Sequence, residues 1–211
     1  MITLIHLAGA RICTLEAALD RLGHDHCLAR TPEDAAADGP LLLLGTGVYE
    51  GACAALKAAG WWRNLPQMVA DGRHLLGING GMHLLAEGSE ESPLGDGLGL
   101  IPGLVRHLGP GVKVPHVGWS QVRQQQAHPG IPDLHSGWLN FAHRHALEPT
   151  SETLIVASHG RPFSVLEIRG RVLGLQANPE KSGALGLVFL EKLLAAMGEK
   201  PQPVVPADSC N

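Results

Sequence analysis

The sequence predicts a single α/β domain with a central, mostly parallel sheet and a smaller antiparallel extension. In the first half of the chain, short apolar segments alternate with amphipathic segments of helical length. Strands separated by helices of this size are typical of a doubly wound parallel sheet. Unbroken apolar runs such as Leu41–Leu44 indicate strands that are covered on both faces. The 211 residues are enough for one domain with an extensive core.

The elements of the first half follow from the spacing of the apolar residues. Continuous apolar character predicts strands, and recurrence at every third and fourth residue predicts helices. A further helix is expected to begin with Met82, on the far side of the last of these strands. The predicted strands are 2–7, 24–29, 41–44 and 74–78, and the predicted helices are 13–22 and 50–59.

The second half, after about residue 97, has the pattern of an antiparallel region followed by one closing helix. Turn residues such as Gly160 and Gly170 separate its short strand-like segments. We expect the domain to span residues 1–198, and the proline-containing tail 199–211 to be disordered. The predicted strands are 114–122, 138–147, 153–158, 163–168 and 172–177, and the predicted helix is 184–197.

Composition narrows the possible partners and the compartment. The 16 basic and 20 acidic residues give a net charge of −4, which excludes a strongly basic nucleic-acid surface and leaves only a local basic patch open. No apolar run is long enough to span a bilayer. The four cysteines show no paired or metal-type spacing, and the N-terminus does not resemble a signal peptide, so we expect a cytoplasmic protein. The twelve histidines include no His-x-x-x-His pair, and no metal is expected.

Residues 77–81, Gly-Ile-Asn-Gly-Gly, have the pattern of a nucleophile elbow with an asparagine at its centre. In an elbow of this kind a buried strand turns sharply into a helix, and the glycines leave the central residue exposed above the sheet. The central residue is often at positive φ, which Asn79 tolerates better than most side chains. An amide is not among the activated nucleophiles of enzymes. The scaffold for covalent catalysis is therefore predicted without its reactive atom.

Five motifs, taken in their order and spacing, allow a comparison with a known family. They are GINGGMHLL at 77–85, EGSEE at 87–91, GLGLIPG at 97–103, VPHVGWSQ at 114–121 and QANPEKSG at 176–183. Together they resemble the glutaminase subunit of imidazole glycerol phosphate synthase, a class I (triad) glutamine amidotransferase. The resemblance covers roughly residues 1–197. It implies a flavodoxin-like three-layer fold and a role in histidine biosynthesis.

The resemblance also implies a Cys-His-Glu triad, of which this chain has one member. In the family, Cys attacks the side-chain amide of glutamine, His serves as base and then as acid, and Glu orients the His. Asn79 occupies the Cys position and Asn178 the His position, whereas Glu180 matches the Glu. Nucleophile and base are thus both replaced. Without an imidazole to orient, Glu180 becomes a structural carboxylate.

Further positions of the family's oxyanion and substrate pocket are implied by the same comparison. The N-terminal signature of the family is replaced by the sequence His-Leu-Ala-Gly-Ala-Arg at 6–11, and the oxyanion loop has Leu44 in place of proline. His143 matches the family's His-Ser-Tyr strand, but the two residues after it do not. Changes at so many converging positions indicate relaxed selection on the glutaminase reaction. The pocket positions are Gly45, Gly47, Gly80, His83 and His143.

Several alternatives remain open for these residues. Asn79 either still binds a ligand through hydrogen bonds or merely tolerates the backbone of the elbow. Cys13 and Cys53 could supply another nucleophile, but their places on predicted helices favour small buried hydrophobic residues. His83 and His143, together with His145, leave a histidine-lined small-molecule or metal site conceivable, although carboxylate and cysteine partners at ligand spacing are absent from the sequence.

Pro115, Trp119 and Lys181 match family positions at or near the face that docks on the (β/α)8 cyclase subunit. Pro115 and Trp119 could equally be packed strand residues, and Lys181 could equally be a solvated lysine. Their retention beside a lost triad favours a preserved docking face, and hence a heterodimer.

Two functions are compatible with this pattern. The first is a homologue that cannot hydrolyse glutamine and acts as a non-catalytic partner of a cyclase-type synthase subunit. The second is an active amidotransferase subunit that uses an unrecognised nucleophile, in histidine biosynthesis or in a paralogous sugar-amidation pathway. Neither function requires a cofactor.

Overall fold

A computed structural model describes residues 1–92, 97–128, 131 and 137–201 of the chain. Within these ranges, twelve strands and five α-helices alternate in the order expected of an α/β domain. The helices are α1 Cys13–Leu22, α2 Tyr49–Ala58, α3 Trp61–Ala70, α4 Gly80–Leu85 and α5 Gly183–Ala196. The strands are β1 Ile2–Ile5, β2 His26–Ala29, β3 Leu41–Leu44, β4 Leu75–Ile78, β5 Gly88–Ser89, β6 Leu104–His107, β7 His116–Gln124, β8 Gly137–His143, β9 His145–Leu147, β10 Thr153–His159, β11 Arg161–Arg169 and β12 Val172–Leu175.

Nine of the described strands form one sheet in the order β2-β1-β3-β4-β12-β11-β10-β7-β8. The pairs from β2 to β12 are parallel, and those from β12 to β8 are antiparallel. This confirms the predicted parallel sheet with its antiparallel extension. Three further described strands form a small sheet in the order β5-β6-β9. It lies beside the end of α4, the helix that follows the elbow.

The core has two apolar layers, one on each face of the large sheet. Strand residues alternate between them, since Leu42 packs in one layer and Leu41 and Leu43 in the other. Helices α1 and α5 cover the first layer, and α2, α3 and α4 cover the second. Because both faces are covered, the inner parallel strands β3 and β4 contain only apolar residues and glycine, as the unbroken run at Leu41–Leu44 indicated. The fold therefore has the three layers that the sequence predicted.

The predicted strand 138–147 is two strands, which is the main error in the second half. The chain leaves the large sheet after His143, and from His145 it pairs with β6 in the small sheet. Between them, the carbonyl of Arg144 accepts a hydrogen bond from Leu108 N. A single apolar pattern therefore runs through two strands that pair in different sheets. The spacing of apolar residues alone cannot show where the chain changes sheet.

The helix Trp61–Ala70 was not predicted. Its sequence contains Pro66 and two adjacent tryptophans, which are weak helix formers. Trp61 and Leu65, four residues apart, are completely buried, and the Trp61 indole donates to the carbonyl of Arg30. Tertiary packing therefore outweighs propensity here.

No helix among the described residues is long and apolar enough to cross a membrane. The disordered tail predicted for residues 199–211 lies, from residue 202 onward, outside the described part of the chain.

A fully buried carboxylate ties the turn before β10 to β11. Glu167 is inaccessible to solvent, and it accepts hydrogen bonds from three hydroxyl groups. Thr153 Oγ1 and Ser164 Oγ donate to its Oε2 at 2.7 and 2.6 Å, and Thr150 Oγ1 donates to its Oε1. Buried charges are tolerated only where such hydrogen bonds replace water. This cluster therefore holds the hairpin β10–β11 in register.

We expect Glu167→Ala to lower the free energy of unfolding by about 3 kcal/mol or more, because it leaves buried hydroxyl groups unpaired. The midpoint of urea denaturation measures the change, with an unchanged slope as the sign that only stability was altered. The matched control is Glu87→Ala at an exposed position, which should shift the free energy by less than about 0.5 kcal/mol. Equal effects of the two substitutions would contradict the assigned role of Glu167.

Candidate functional site

The predicted elbow is present between β4 and α4. Asn79, at its centre, has φ 51° and ψ −115°, and it is the one non-glycine residue with positive φ among the described residues. Its backbone N–H donates to the carbonyl of Leu175 in β12, at 2.6 Å. A Cβ on Gly81 would lie 1.9 Å from the carbonyl oxygen of Leu43, and one on Gly77 would lie 2.6 Å from Leu85. Both glycines are therefore required by close packing of the backbone.

The elbow opens into a cavity of about 580 Å³ at the carboxyl ends of the parallel strands. Ligand sites of open α/β sheets occur at this edge. The segments that follow β1, β3, β4 and β12 all contribute to its wall. Pro115 and Trp119 do not line it. The sequence-predicted residues that the cavity brings together are Gly45, Gly47, Asn79, Gly80, His83, His143, Asn178, Glu180 and Lys181.

Two amides face each other where the resemblance implies a nucleophile and its base. Asn79 Nδ2 donates to Asn178 Oδ1 at 3.0 Å and makes a longer contact, of 3.4 Å, with the carbonyl of Ala142. Asn178 is buried, and its Nδ2 has no hydrogen-bond partner among the described residues. A carboxamide neither attacks a carbonyl nor accepts and returns a proton near neutral pH. The pair is thus a neutral contact.

Glu180 lies next to this pair but makes no described hydrogen bond with it. Its side chain is 6 % exposed, and Oε1 lies 3.8 Å from the ammonium group of Lys181. Its Oε2 is buried and has no partner among the described residues. Burial raises the pKa of the Glu180 carboxyl, against the lowering effects of its own backbone N–H and of Lys181. The Glu180 carboxyl group is therefore buried with one oxygen unpartnered among the described residues, and it orients no described imidazole.

His83 is turned into the core behind the elbow. Its Nε2 lies 2.8 Å from Gln176 Oε1, which as an amide oxygen can only accept, so Nε2 carries the proton. Burial lowers the pKa of His83, while the bond to Gln176 acts in the opposite direction. A buried imidazole of this kind is neutral at physiological pH.

His143 belongs to a hydrogen-bonded relay that the sequence did not reveal. Its Nδ1 donates to the carbonyl of His145, so its Nε2 accepts from Nδ1 of His116, at 2.9 Å. His116 Nε2 in turn accepts from the hydroxyl group of Ser120, and the ring of His159 stacks on His116 at 4.1 Å. Burial lowers the pKa of His116 to about 4 and that of His143 to about 3. All nitrogen atoms of His116 and His143 are thus occupied by neutral partners.

Sequence reasoning missed two charged residues of the cavity. Glu91 lies in the segment 87–91, which sequence reasoning did not place in the site; residues 88 and 89 form β5, and Glu91 reaches the cavity wall. Its Oε1 accepts from the backbone N–H of Tyr49 at 3.1 Å, and its Oε2 lies 3.6 Å from Nδ1 of His145. Arg11, which follows β1, also lines the cavity. These contacts are all between distant parts of the chain, and no local pattern indicates them.

The cysteines do not supply a nucleophile to this cavity. Cys53 is buried, as predicted, and burial raises the pKa of its thiol. The prediction for Cys13 was wrong, because this first residue of α1 is exposed. Neither thiol, nor that of Cys27, belongs to the cavity wall, and Cys210 lies outside the described residues. Among the described residues, no three His, Cys, Asp or Glu side chains are grouped so that they could hold a metal ion.

An exposed apolar face lies on the edge of the antiparallel extension. Val117, Trp119 and Trp138 are 69, 51 and 56 % exposed. Trp119 is paired with Asn140, and Trp138 with Gln121, so these side chains share one face of β7 and β8. Pro115 is half-buried just before β7.

The sheet order and the elbow at Asn79 can now be compared with those of known protein classes. The fold is that of the class I glutamine amidotransferases. A crystal structure of a glutamine amidotransferase superimposes with a TM-score of 0.75 at 19% identity, and covers 94% of this chain and 99% of its own. The structure of PurLQS from Thermotoga maritima superimposes with a TM-score of 0.66 at 14% identity, over 92% of this chain and 97% of the matched one. At such identities the likeness shows the fold alone.

Sequence relatives then identify the family. The chain is 39% identical over 178 residues to the imidazole glycerol phosphate synthase subunit HisH of Streptococcus gordonii, which is 83% of this chain and 86% of the relative. It is 34% identical over 201 residues to the HisH protein of Geobacillus thermodenitrificans, which is 91% of this chain and 94% of that protein. No protein-family model matches the chain. The chain belongs to the HisH family of imidazole glycerol phosphate synthase subunits.

The buried histidine relay makes stability dependent on pH. The pKa values of His116 and His143 are about 4 and about 3 in the folded chain, against an ordinary value of 6.5. Below pH 6.5 the unfolded chain therefore binds more protons, and the free energy of unfolding falls as the pH falls toward 4. Urea denaturation at a series of pH values measures this slope.

In this experiment, His143→Gln should flatten the slope between pH 6.5 and pH 4, since one of the two titrating rings is removed. The control is His107→Gln, on the exposed side of β6, which should keep the slope of the unmodified protein. Identical slopes for the two variants would contradict the relay.

Proposed function

We propose that this chain is a HisH-family subunit that has lost glutamine hydrolysis and acts as a non-catalytic partner of a cyclase-type synthase subunit. The observation that carries the proposal is the hydrogen bond between Asn79 and Asn178, where the family resemblance requires a nucleophile and its base. Histidine biosynthesis is the pathway that the names of its relatives suggest.

The chemistry of the amide pair supports the loss of hydrolysis. Glutamine hydrolysis through a covalent intermediate needs a nucleophile that a neighbouring base can deprotonate. Asn79 has no such proton to lose near neutral pH, and Asn178 has no lone pair basic enough to take one. Removal of the nucleophile and the base in other hydrolases leaves only the small rate enhancement of the oxyanion hole and of binding.

The described part of the cavity wall contains no thiol that could replace the missing nucleophile. The thiols of Cys13, Cys27 and Cys53 lie outside its wall. His83 donates to Gln176, and His143 has both ring nitrogens occupied. The alternative function, an active amidotransferase subunit, requires a nucleophile next to a free base, and His145, whose Nδ1 lies 3.6 Å from Glu91 Oε2, has no described thiol beside it in the cavity wall.

The exposed face on β7 and β8 supports the proposed role as a partner. Two tryptophans and a valine in water are costly to leave exposed, and contiguous apolar surface marks interaction sites. Tryptophan is also the residue most enriched where binding energy concentrates. This face lies close to the cavity wall, because the indole of Trp119 approaches Gly183, two residues after Lys181 of that wall. A (β/α)8 cyclase-type subunit that docks here would cover both the tryptophans and this part of the wall.

In this arrangement the chain supplies contacts and not ammonia. It holds either the conformation of the partner subunit or that subunit's ammonia tunnel, while free ammonia provides the nitrogen.

We expect no release of glutamate above background when the purified chain is incubated with glutamine, either alone or with its cyclase-type partner. The reason is that neither amide of the Asn79–Asn178 pair can act as nucleophile or base. Glutamate is the product to measure, by an enzyme-coupled or chromatographic assay. Steady turnover of glutamine at the rate of ordinary enzymes, which is about 1–1000 per second, would overturn the proposal.

The double variant Asn79→Cys with Asn178→His tests whether the scaffold remains competent. The two side chains replace amides in mutual contact, and the orphaned Oε2 of Glu180 is available to orient a new imidazole. We expect measurable glutamate release from the double variant and none from either single variant, because triad members act as a unit. If the double variant is as inactive as the single ones, the other changes in the cavity prevent hydrolysis.

Docking is tested separately with Trp119→Ala. We expect affinity for the cyclase-type protein from the same genome to fall at least tenfold, since truncation of a central interface tryptophan costs about 2 kcal/mol or more. Titration calorimetry measures the affinity. The matched control is Trp62→Ala, on α3 and outside the exposed face, which should leave binding unchanged. Equal affinities of the two variants would show that the partner binds elsewhere.

A further inference from the structure

The elbow combines an asparagine with a following glycine in an uncommon backbone conformation. The chain has five asparagines, and Asn79 is the one that is followed by glycine. A glycine leaves its backbone nitrogen unhindered, so an Asn-Gly pair is the sequence in which that nitrogen most readily attacks the preceding side-chain amide. Attack forms a five-membered imide, and the rate depends on how the backbone positions the two groups.

The torsion ψ of Asn79 already has the value that this ring requires. In the ring, Cβ and the next backbone nitrogen must be eclipsed about the Cα–C bond. For an L-residue this occurs at ψ of about −120°, because Cβ is set about 120° from the residue's own nitrogen. The ψ of Asn79 is −115°. Helices and antiparallel strands, with ψ near about −42° and about +135°, are far from this geometry.

Neighbouring contacts hold the backbone in this conformation. The N–H of Asn79 donates to Leu175 at 2.6 Å, and its carbonyl accepts from His83 N at 3.4 Å. Gly80 packs closely against the loop that follows β3, since a Cβ on Gly45 in that loop would lie 2.4 Å from Gly80 Cα. Gly80 is also the first residue of α4, so its N–H has no partner within the helix. The attacking nitrogen is therefore placed by the fold and is not occupied by helical hydrogen bonding.

We propose that Asn79 is a site of spontaneous deamidation, in which the folded elbow directs the backbone nitrogen of Gly80 onto the side-chain amide. The Gly80 nitrogen bonds to Asn79 Cγ, the Cγ–Nδ2 bond breaks, and Nδ2 leaves as ammonia with the proton that the Gly80 nitrogen loses. Water from the cavity then opens the succinimide. Cleavage of the new N–Cγ bond gives aspartate, and cleavage of the bond to the main-chain carbonyl gives isoaspartate. One water is consumed and one ammonia is released per chain.

The surroundings accommodate a carboxylate at this position. Asn178 Nδ2 is buried, and it has no partner among the described residues. A half-turn of the Asn178 amide directs this donor at the new carboxylate, whereas the present orientation directs its oxygen at Asn79 Nδ2. The product adds one negative charge to a cavity that is lined by two cations, Arg11 and Lys181, and by two acidic residues, Glu91 and Glu180. Deamidation to aspartate therefore changes the charge of the cavity without lengthening the backbone of the elbow, whereas isoaspartate adds a methylene group to that backbone.

The test compares the folded chain with a synthetic peptide of residues 75–85, both incubated at mildly alkaline pH and physiological temperature. The tryptic peptide that begins at His74 is analysed by mass spectrometry for loss of ammonia, for aspartate and for isoaspartate. We expect Asn79 in the folded chain to convert at least as fast as in the free peptide, with Asn64 and Asn140 unchanged. Conversion several-fold slower in the folded chain would overturn the proposal, because the elbow would then protect the amide.

Two variants of the full chain sharpen this comparison. Asn178→Ala removes the acceptor that restrains the Asn79 side chain, and it should accelerate conversion. Asn79→Gln keeps an amide but requires a six-membered ring, and it should abolish the acidic species seen on isoelectric focusing. An acidic species that persists in Asn79→Gln would show that another residue is modified. The experiment measures a covalent change, so its outcome does not depend on whether the chain hydrolyses glutamine.

Discussion

The close contact between the elbow and strand β3 is the constraint on which the site depends. Gly81 packs against the carbonyl of Leu43 so tightly that no Cβ fits, and Gly80 packs in the same way against Gly45. This contact brings the ends of β3 and β4 together and makes the chain turn sharply into α4. The turn forces Asn79 to positive φ and raises its side chain into the cavity. Every other group of the cavity is arranged around that position.

The electrostatics of the cavity follow from burial. The amides of Asn79 and Asn178 are uncharged, and desolvation lowers the pKa values of His83 and His143, while the buried carboxyl group of Glu180 lies beside them in the same wall. Charged groups remain toward the rim, where Arg11 and Lys181 stand in water. The Asn79–Asn178 pair at the elbow therefore neither gains nor loses a proton near neutral pH.

The spacing of apolar residues correctly predicted those elements whose bounds depend on neighbouring residues alone. The bounds of α1 and β3 were correct to the residue, since α1 presents one apolar stripe to a single layer and β3 is an unbroken apolar run that packs into both layers. The helix Trp61–Ala70 was missed because packing of Trp61 outweighs the unfavourable Pro66. In the site, glycine spacing and the family motifs predicted the elbow and most of its neighbours. Glu91 and the His116 relay were missed, because each contributes through contacts with residues far along the chain.

The retained residues of this chain do not all carry the same information about function. Gly45, Gly77 and Gly81 are required by backbone contacts whether or not any reaction takes place, so their presence says nothing about catalysis. Trp119 differs from these glycines, because half of its surface is exposed and its side chain contributes little to the stability of the fold. An exposed tryptophan is explained by a partner more readily than by the needs of the fold. We therefore base the proposed partner role on the outward-facing tryptophans and not on the glycines.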